Sequence, residues 1–238
     1  MGAIYKRELK SYFITPIGYI FCGMFLAVSG LLFSYLTLLS NGADSTDAVS
    51  QYFVYLIIVF AVLLPLLTMK LFSEDRRSKS EQILLTSPVS ITGMVMGKYL
   101  AAVTIYAVTF IVNSFNFFLL YIFCKPNPSV IFANILGIFL VGCAFLAIGL
   151  FLSALTENQL IAAVTSIGVT VSTVLVDLLA EMVSVEWIRV ALKWFSFSSR
   201  YVPFANEVLD VTSIIYYISF AAVFLFLTVR VYEKRRWA

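Results

Sequence analysis

Apolar residues fall in six long continuous blocks. Neither the short alternation of strands nor the single stripe of a surface helix is present. The blocks cover residues 17–39, 54–72, 94–123, 130–155, 159–180 and 211–232. About 20 apolar residues, rising 1.5 Å each, cross the roughly 30 Å hydrocarbon core of a bilayer. Each block therefore predicts a spanning α-helix, whose backbone groups are satisfied within the segment. A membrane barrel would show alternating segments of about ten residues instead. The first block is too long for a signal-peptide core and no small-residue cleavage site follows it, so it is expected to stay as a span. The fold expected is an all-α integral membrane protein, a single transmembrane domain over 1–238. It has six transmembrane helices, an N-terminal interfacial helix, a cytoplasmic helix between the second and third spans, and an outer amphipathic segment before the last span.

The segments between the blocks refine this. Over residues 4–13, Ile4, Tyr5, Leu9, Tyr12 and Phe13 share one half of a helical wheel, and Lys6, Arg7 and Lys10 the other, as in a helix lying in the interface. Glu8 falls on the apolar half and needs either a buried basic partner or a route to the headgroups. Residues 41–51 read as a polar, turn-rich connector. In residues 73–90, Ser78-Lys79-Ser80-Glu81 matches a capping box. It predicts a short helix starting at Ser78 and ending before Pro88, which disfavours helical geometry at Ser87. That helix would present Ile83, Leu84 and Leu85, three adjacent aliphatics that must dock on the membrane, on the chain itself or on a partner. Residues 153–159 form a very short turn whose one charge is Glu157. Over residues 181–210, Trp187, Ile188, Ala191, Trp194 and Phe195 recur at helical spacing opposite Glu186, Arg189 and Lys193. This reads as an interfacial anchor or as an outer gate, with Trp187, Trp194, Phe195 and Arg200 as candidate gate residues.

Composition agrees with the pattern. The chain is 61% hydrophobic and 12% charged, against about 25% charged residues in soluble domains. Net charge is +3, too small to suggest a nucleic-acid partner, but its placement is informative. Lys6, Arg7, Lys10, Lys70, Arg76, Arg77, Lys79, Lys98, Arg230, Lys234, Arg235 and Arg236, 12 of the 16 basic residues, fall on the side that would hold both termini. Only Lys125, Arg189, Lys193 and Arg200 fall opposite, so both termini are expected in the cytoplasm. The absence of histidine excludes any mechanism that needs imidazole. Cys22, Cys124 and Cys143 stand singly in or beside apolar runs and read as packed thiols.

Polar residues inside spans are costly and face protein or a water path. Ser166, Thr170, Thr173 and Asp177, spaced 4, 3 and 4, share one face of the fifth span. Asn113 and Asn116 share a face of the third with Thr109. Each group reads either as back-bonded packing or as a subunit interface or substrate path. Gly137, Gly142, Ala147 and Gly149 allow close helix approach to the fourth span, and Pro65 is expected to kink the second. Gly93 through Lys98 superficially resembles a phosphate loop. It has three residues between its glycines instead of four, and Tyr99 stands where Ser or Thr is needed. No metal cluster or nucleophile–base pair stands out.

The chain resembles the membrane subunit, or permease, of type-2 ABC exporters, and most nearly the gliding-motility and nitrous-oxide-reductase maturation subgroup. The residues that carry the resemblance are Lys6-Arg7-Glu8-Leu9, Tyr12-Phe13 and Thr15-Pro16. A second block runs Leu64-Pro65-Leu66-Leu67-Thr68-Met69 through Glu74, then Glu81, Leu84-Leu85, Ser87-Pro88-Val89 and Gly97-Lys98. Gly149-Leu150-Phe151-Leu152-Ser153 with Glu157-Asn158-Gln159, and Glu233-Lys234-Arg235-Arg236-Trp237, complete it. Lys79-Ser80 stands where the family usually has Gly-Thr. Ser199-Arg200-Tyr201 and Ala205-Asn206-Glu207 stand where it often has His-Phe and a later Gly.

The resemblance implies a transport subunit without catalysis of its own, in a prokaryotic inner membrane, binding no cofactor. ATP and magnesium would sit on two copies of a separate ABC ATPase, and a second permease, itself or a paralogue, would complete the assembly among membrane lipids. The helix over 78–86 would be the coupling helix, with Glu74, Arg76, Arg77, Glu81, Ile83, Leu84, Leu85, Pro88 and Glu157 contacting the ATPase. Two other readings of the residues are an ion-gradient-driven secondary transporter and a non-transporting assembly scaffold.

Overall fold

The computed structural model describes residues 1–38, 45–82, 89–118, 128–183, 185–206 and 208–237, and among them there is no strand. The helices are α1 (Gly2–Ile14), α2 (Pro16–Phe33, prolonged by one π turn, Ser34–Leu38), α3 (Ser45–Thr68), α4 (Lys70–Arg77), α5 (Ile91–Asn113), α6 (Pro128–Leu155), α7 (Gln159–Met182), α8 (Glu186–Phe195), α9 (Phe197–Ala205) and α10 (Val211–Trp237). Among the described residues, six stretches are long and apolar enough to cross a membrane: Pro16–Leu36, Val49–Arg77, Ile91–Phe118, Pro128–Leu155, Gln159–Asp177 and Val211–Arg236. The bundle has a basic end, where both termini lie, and a far end that carries α8 and α9.

Local chemistry sets the boundaries. Pro16 opens α2 at the first helical position, where its missing N–H is no loss. Ser90 caps α5 by accepting from the Gly93 amide at 3.2 Å. Asn158 does the same for α7 through the Leu160 amide at 2.9 Å, and Ser196 for α9 through the Ser199 amide at 3.1 Å.

α6 is the axis. It packs against α3, α4, α5, α7, α9 and α10, and its small residues admit these neighbours. A Cβ on Gly142 would lie 2.4 Å from the Tyr106 ring, and one on Gly149 would lie 2.1 Å from Thr68 Oγ1. Tyr106 closes the contact by donating to Ile138 O at 2.9 Å.

The span built from α3 and α4 is broken, and three other helices repair it. Pro65 supplies no N–H to Ala61 O. Thr170 of α7 donates its hydroxyl to that carbonyl at 2.6 Å. Four residues on, the helix is interrupted at Met69. Tyr12 of α1 donates to Leu67 O at 2.8 Å. Ser153 of α6 donates to Met69 O at 2.9 Å and accepts from the Phe72 and Ser73 amides, each at 3.2 Å. Burial pushes the Tyr12 phenol well above its usual range, with the charges of Glu8 and Glu74 adding to the effect, so it remains a donor.

One local expectation is corrected. No helix starts at Ser78. α4 runs to Arg77, and Ser78 Oγ donates back to Glu74 O at 2.8 Å. Lys79 then turns into the left-handed region (φ 57°), which ends a helix, and helical geometry resumes at Ser80. Glu81 does not reach back to Ser78, because two guanidinium groups hold it.

The repair of the proline break is testable. Thr170→Val should lower stability by about 1 kcal/mol, whereas in a Pro65→Ala background, where residue 65 regains its N–H, the cost should fall below half of that. A double-mutant cycle of thermal or denaturant unfolding in detergent measures the difference.

Candidate functional site

The densest chemistry lies at the basic end, in two ion clusters on opposite sides of α4. Lys98 of α5 is 1% exposed, and a buried ammonium without partners costs several kcal/mol. Its Nζ stands 3.1 Å from Glu8 Oε1 and 2.6 Å from Asp75 Oδ2, and it donates to Leu71 O. Three donors thus meet three acceptors, and none is left for a phosphate. The Phe72 ring lies 5.0 Å away. Arg7 closes the cluster, with Nη2 at 2.7 Å from Glu8 and 3.4 Å from Asp75. The acid on the apolar face of α1 therefore has its buried basic partner, and α1, α4 and α5 are joined through it. Beside this cluster, Lys70 donates to Thr15 Oγ1 at 2.7 Å and to Ser11 Oγ at 3.3 Å.

The second cluster forms where α6 ends. The last carbonyls of a helix lack internal partners and carry the negative end of its dipole. Arg76 Nη1 donates to Leu155 O at 3.0 Å, and Arg235 Nη2 to Ala154 O at 2.6 Å. Glu81 bridges the two arginines, at 3.6 Å from Arg76 Nε and 3.2 Å from Arg235 Nη1. Glu157 takes the remaining edge of Arg76 at 2.7 Å. The segment after α4, the turn after α6 and the end of α10 are joined in this way.

What stays exposed is as informative as what is paired. Glu74 and Arg77 are exposed. Arg77, Glu157 and Asn158 line an open cleft of about 460 Å³ with Met69, Gln159 and Leu160. Of the sequence candidates at this end, Arg76, Glu81 and Glu157 share the second cluster, and Arg77 joins Glu157 at the cleft. Ile83, Leu84, Leu85 and Pro88 lie outside the described residues.

The polar groups within the spans are largely occupied inside the chain. Asn113, 1% exposed, donates to Tyr52 OH at 2.9 Å and accepts from Ser29 Oγ at 2.7 Å and from Asn116 Nδ2 at 3.1 Å. On α7, Thr170 serves Ala61 O, and Thr173 donates to Thr170 O at 2.7 Å. Asp177 accepts from Ser199 Oγ. Ser166 is buried, with its Oγ unpartnered among the described residues. At the far end Trp187 and Trp194 are exposed, and Arg200 lies half-buried beside Trp194. The side chain of Phe195 lies outside the described residues.

Lys98, Asp75, Tyr12, Ser153 and Arg235 were not among the sequence candidates for this site. A usable signal existed for Lys98, as a lone cation at the start of an apolar run. The unexplained Glu8 is its complement.

Among the described residues, no group of His, Cys, Asp or Glu is arranged to hold a metal. No curated protein is similar enough to the chain to count as a match. Residues 35–230 match the ABC-2 family transporter proteins, a span that takes in the broken second span and, of the second ion cluster, Arg76, Glu81 and Glu157. The chain belongs to that ABC-2 family, and is a membrane subunit of an ABC transporter.

Proposed function

We propose that this chain is the permease of an ATP-driven exporter in a prokaryotic inner membrane, with both termini cytoplasmic, that it works with a second permease, itself or a paralogue, and that two ABC ATPase subunits dock on its basic end. Glu74, Arg77, Glu157 and the aliphatic residues Ile83, Leu84 and Leu85 would form the docking surface, with Pro88 beyond them. Arg76 and Glu81 would hold that surface in shape from behind.

The observation that carries it is the pair of ion clusters. They fasten the segment that leads into the aliphatic residues to α1 and α5 on one side and to α6 and α10 on the other. A push on that segment is then a push on the packed bundle. α3 extends the effect, because at its far-end turn Ser50 donates to Ala205 O of α9 at 2.9 Å. ATP and magnesium stay on the partner subunit, where the chemistry is done. This chain contributes a surface and a path.

Three outcomes test the reading. Co-expressing the chain with its flanking reading frames and purifying through the chain in detergent should recover an ABC ATPase at about one copy per permease, and a preparation without ATPase activity overturns it. Arg77→Glu combined with Leu84→Asp should cut the recovered ATPase at least tenfold, about 1.4 kcal/mol, while the melting temperature of the permease stays unchanged. Lys98→Met should cost about 3 kcal/mol, because Glu8 and Asp75 are left with Arg7 as their one cationic partner among the described residues. Adding Glu8→Gln and Asp75→Asn should restore much of that loss in thermal unfolding.

A further inference from the structure

At the far end, α8 and α9 meet at Ser196, and Arg200 of α9 faces back across the junction. Its guanidinium carbon lies 5.3 Å from the centre of the Trp194 ring and 5.6 Å from that of Tyr216 on α10. Two aromatic faces attract a cation, but they leave its in-plane N–H groups unspent. A guanidinium carries five such donors. Among the described residues, Arg200 makes no ion pair and no hydrogen bond, although it is half-buried. The Tyr216 hydroxyl, buried beside it, also has no partner among them.

Two described acids at this end, Asp177 and Asp210, are engaged elsewhere. Asp177 accepts from Ser199. Asp210 caps α10, accepting from the Ser213 hydroxyl at 2.9 Å and from the Thr212 and Ser213 amides at 3.0 and 3.2 Å. The Ser213 hydroxyl, and then the Thr212 amide, hold that carboxyl below the usual carboxylate range. Depth bears on what could meet these donors. On the same short helix as Trp194, Trp187 is 73% exposed, and Trp194 itself is 63% exposed. Exposed tryptophans on an amphipathic helix between two spans settle at the headgroup level. The abundant anion at that level is lipid phosphate, which matches the planar fork of a guanidinium in two-point contact.

We propose that Arg200, clamped between Trp194 and Tyr216, binds the phosphate of an anionic phospholipid at the far-end membrane surface. The site is independent of ATPase docking and sits at the opposite end of the bundle.

Trp194 reports on the site directly. In a Trp187→Phe, Trp237→Phe background, the purified chain is reconstituted into phosphatidylcholine vesicles that contain a minor fraction of brominated phosphatidylglycerol or of brominated phosphatidylcholine. Quenching of Trp194 should indicate about a fivefold preference for the anionic lipid, the value of one cation at the surface. Arg200→Gln should remove the preference. Arg200→Lys, which keeps the charge and loses the fork, should retain only part of it and serves if the glutamine variant does not fold. Arg189→Gln with Lys193→Gln should leave most of it. Inorganic phosphate at tens of millimolar should not displace it. Equal quenching by the two lipids, a preference that survives in both Arg200 variants, or one that free phosphate abolishes overturns the proposal.

Discussion

A broken helix inside a membrane must find hydrogen-bond partners outside itself. In lipid, water does not reach an orphaned carbonyl, and each one left unpaired costs several kcal/mol. Pro65 and the interruption at Met69 create this problem in the second span, and the solution ties the protein together. The carbonyls of Ala61, Leu67 and Met69 are served by Thr170, Tyr12 and Ser153, which belong to α7, α1 and α6. None of these contacts could form unless the three helices stood where they do. The break therefore specifies an arrangement that apolar packing alone would leave loose, since lipid tails are as apolar as the helices they compete with.

The same logic governs the basic end, with charge in place of backbone. Lys98 is too deep to reach solvent and too strongly charged to be left alone. It is tolerated because Glu8, Asp75 and Leu71 O converge on it. α4 stands between this cluster and the one formed by Arg76, Glu81, Glu157 and Arg235, so consecutive residues, Asp75 and Arg76, pull toward opposite sides. A segment held from both sides resists tilting. In the proposed docking at this end, that stiffness would let a partner's motion pass on instead of being absorbed locally.

Much of the architecture was legible in the sequence because it depends on composition over long windows. The six apolar blocks lie within a few residues of the six helices, and Pro65 marked the break. The faces of the polar stripes could also be read, but their partners could not. Spacing places Thr170 and Asn113 on faces, yet nothing local announces that Thr170 meets Ala61, 109 residues away, or that Asn113 meets Tyr52, 61 residues away. Glu8 was recognisable as an unsettled charge, while Lys98, its complement 90 residues on, was disguised within a phosphate-loop lookalike. At Ser78 the capping pattern was real but lost to a competitor. The helix arriving from Lys70 used the Ser78 hydroxyl to close its own end, and the arginines drew Glu81 away.

The two ends of the molecule treat arginine in opposite ways, and the contrast follows from what surrounds each. Arg76 and Arg235 each pair with a helix-end carbonyl and a carboxylate of the chain, which stiffens that end. Arg200 lies over aromatic rings and makes no ion pair among the described residues, so its donors remain available to whatever lies in the adjoining headgroup layer. α3 joins the two regimes: from Ser50 to the foot of α4 at Arg76 the chain rises about 39 Å if helical throughout, with a contact to α9 at one end and to α6 at the other. A displacement imposed where arginines are locked would arrive where one is open, at the junction of α8 and α9. Rigidity at one end and unspent donors at the other follow from one difference: whether carboxylates and helix-end carbonyls, or aromatic rings, meet the guanidinium.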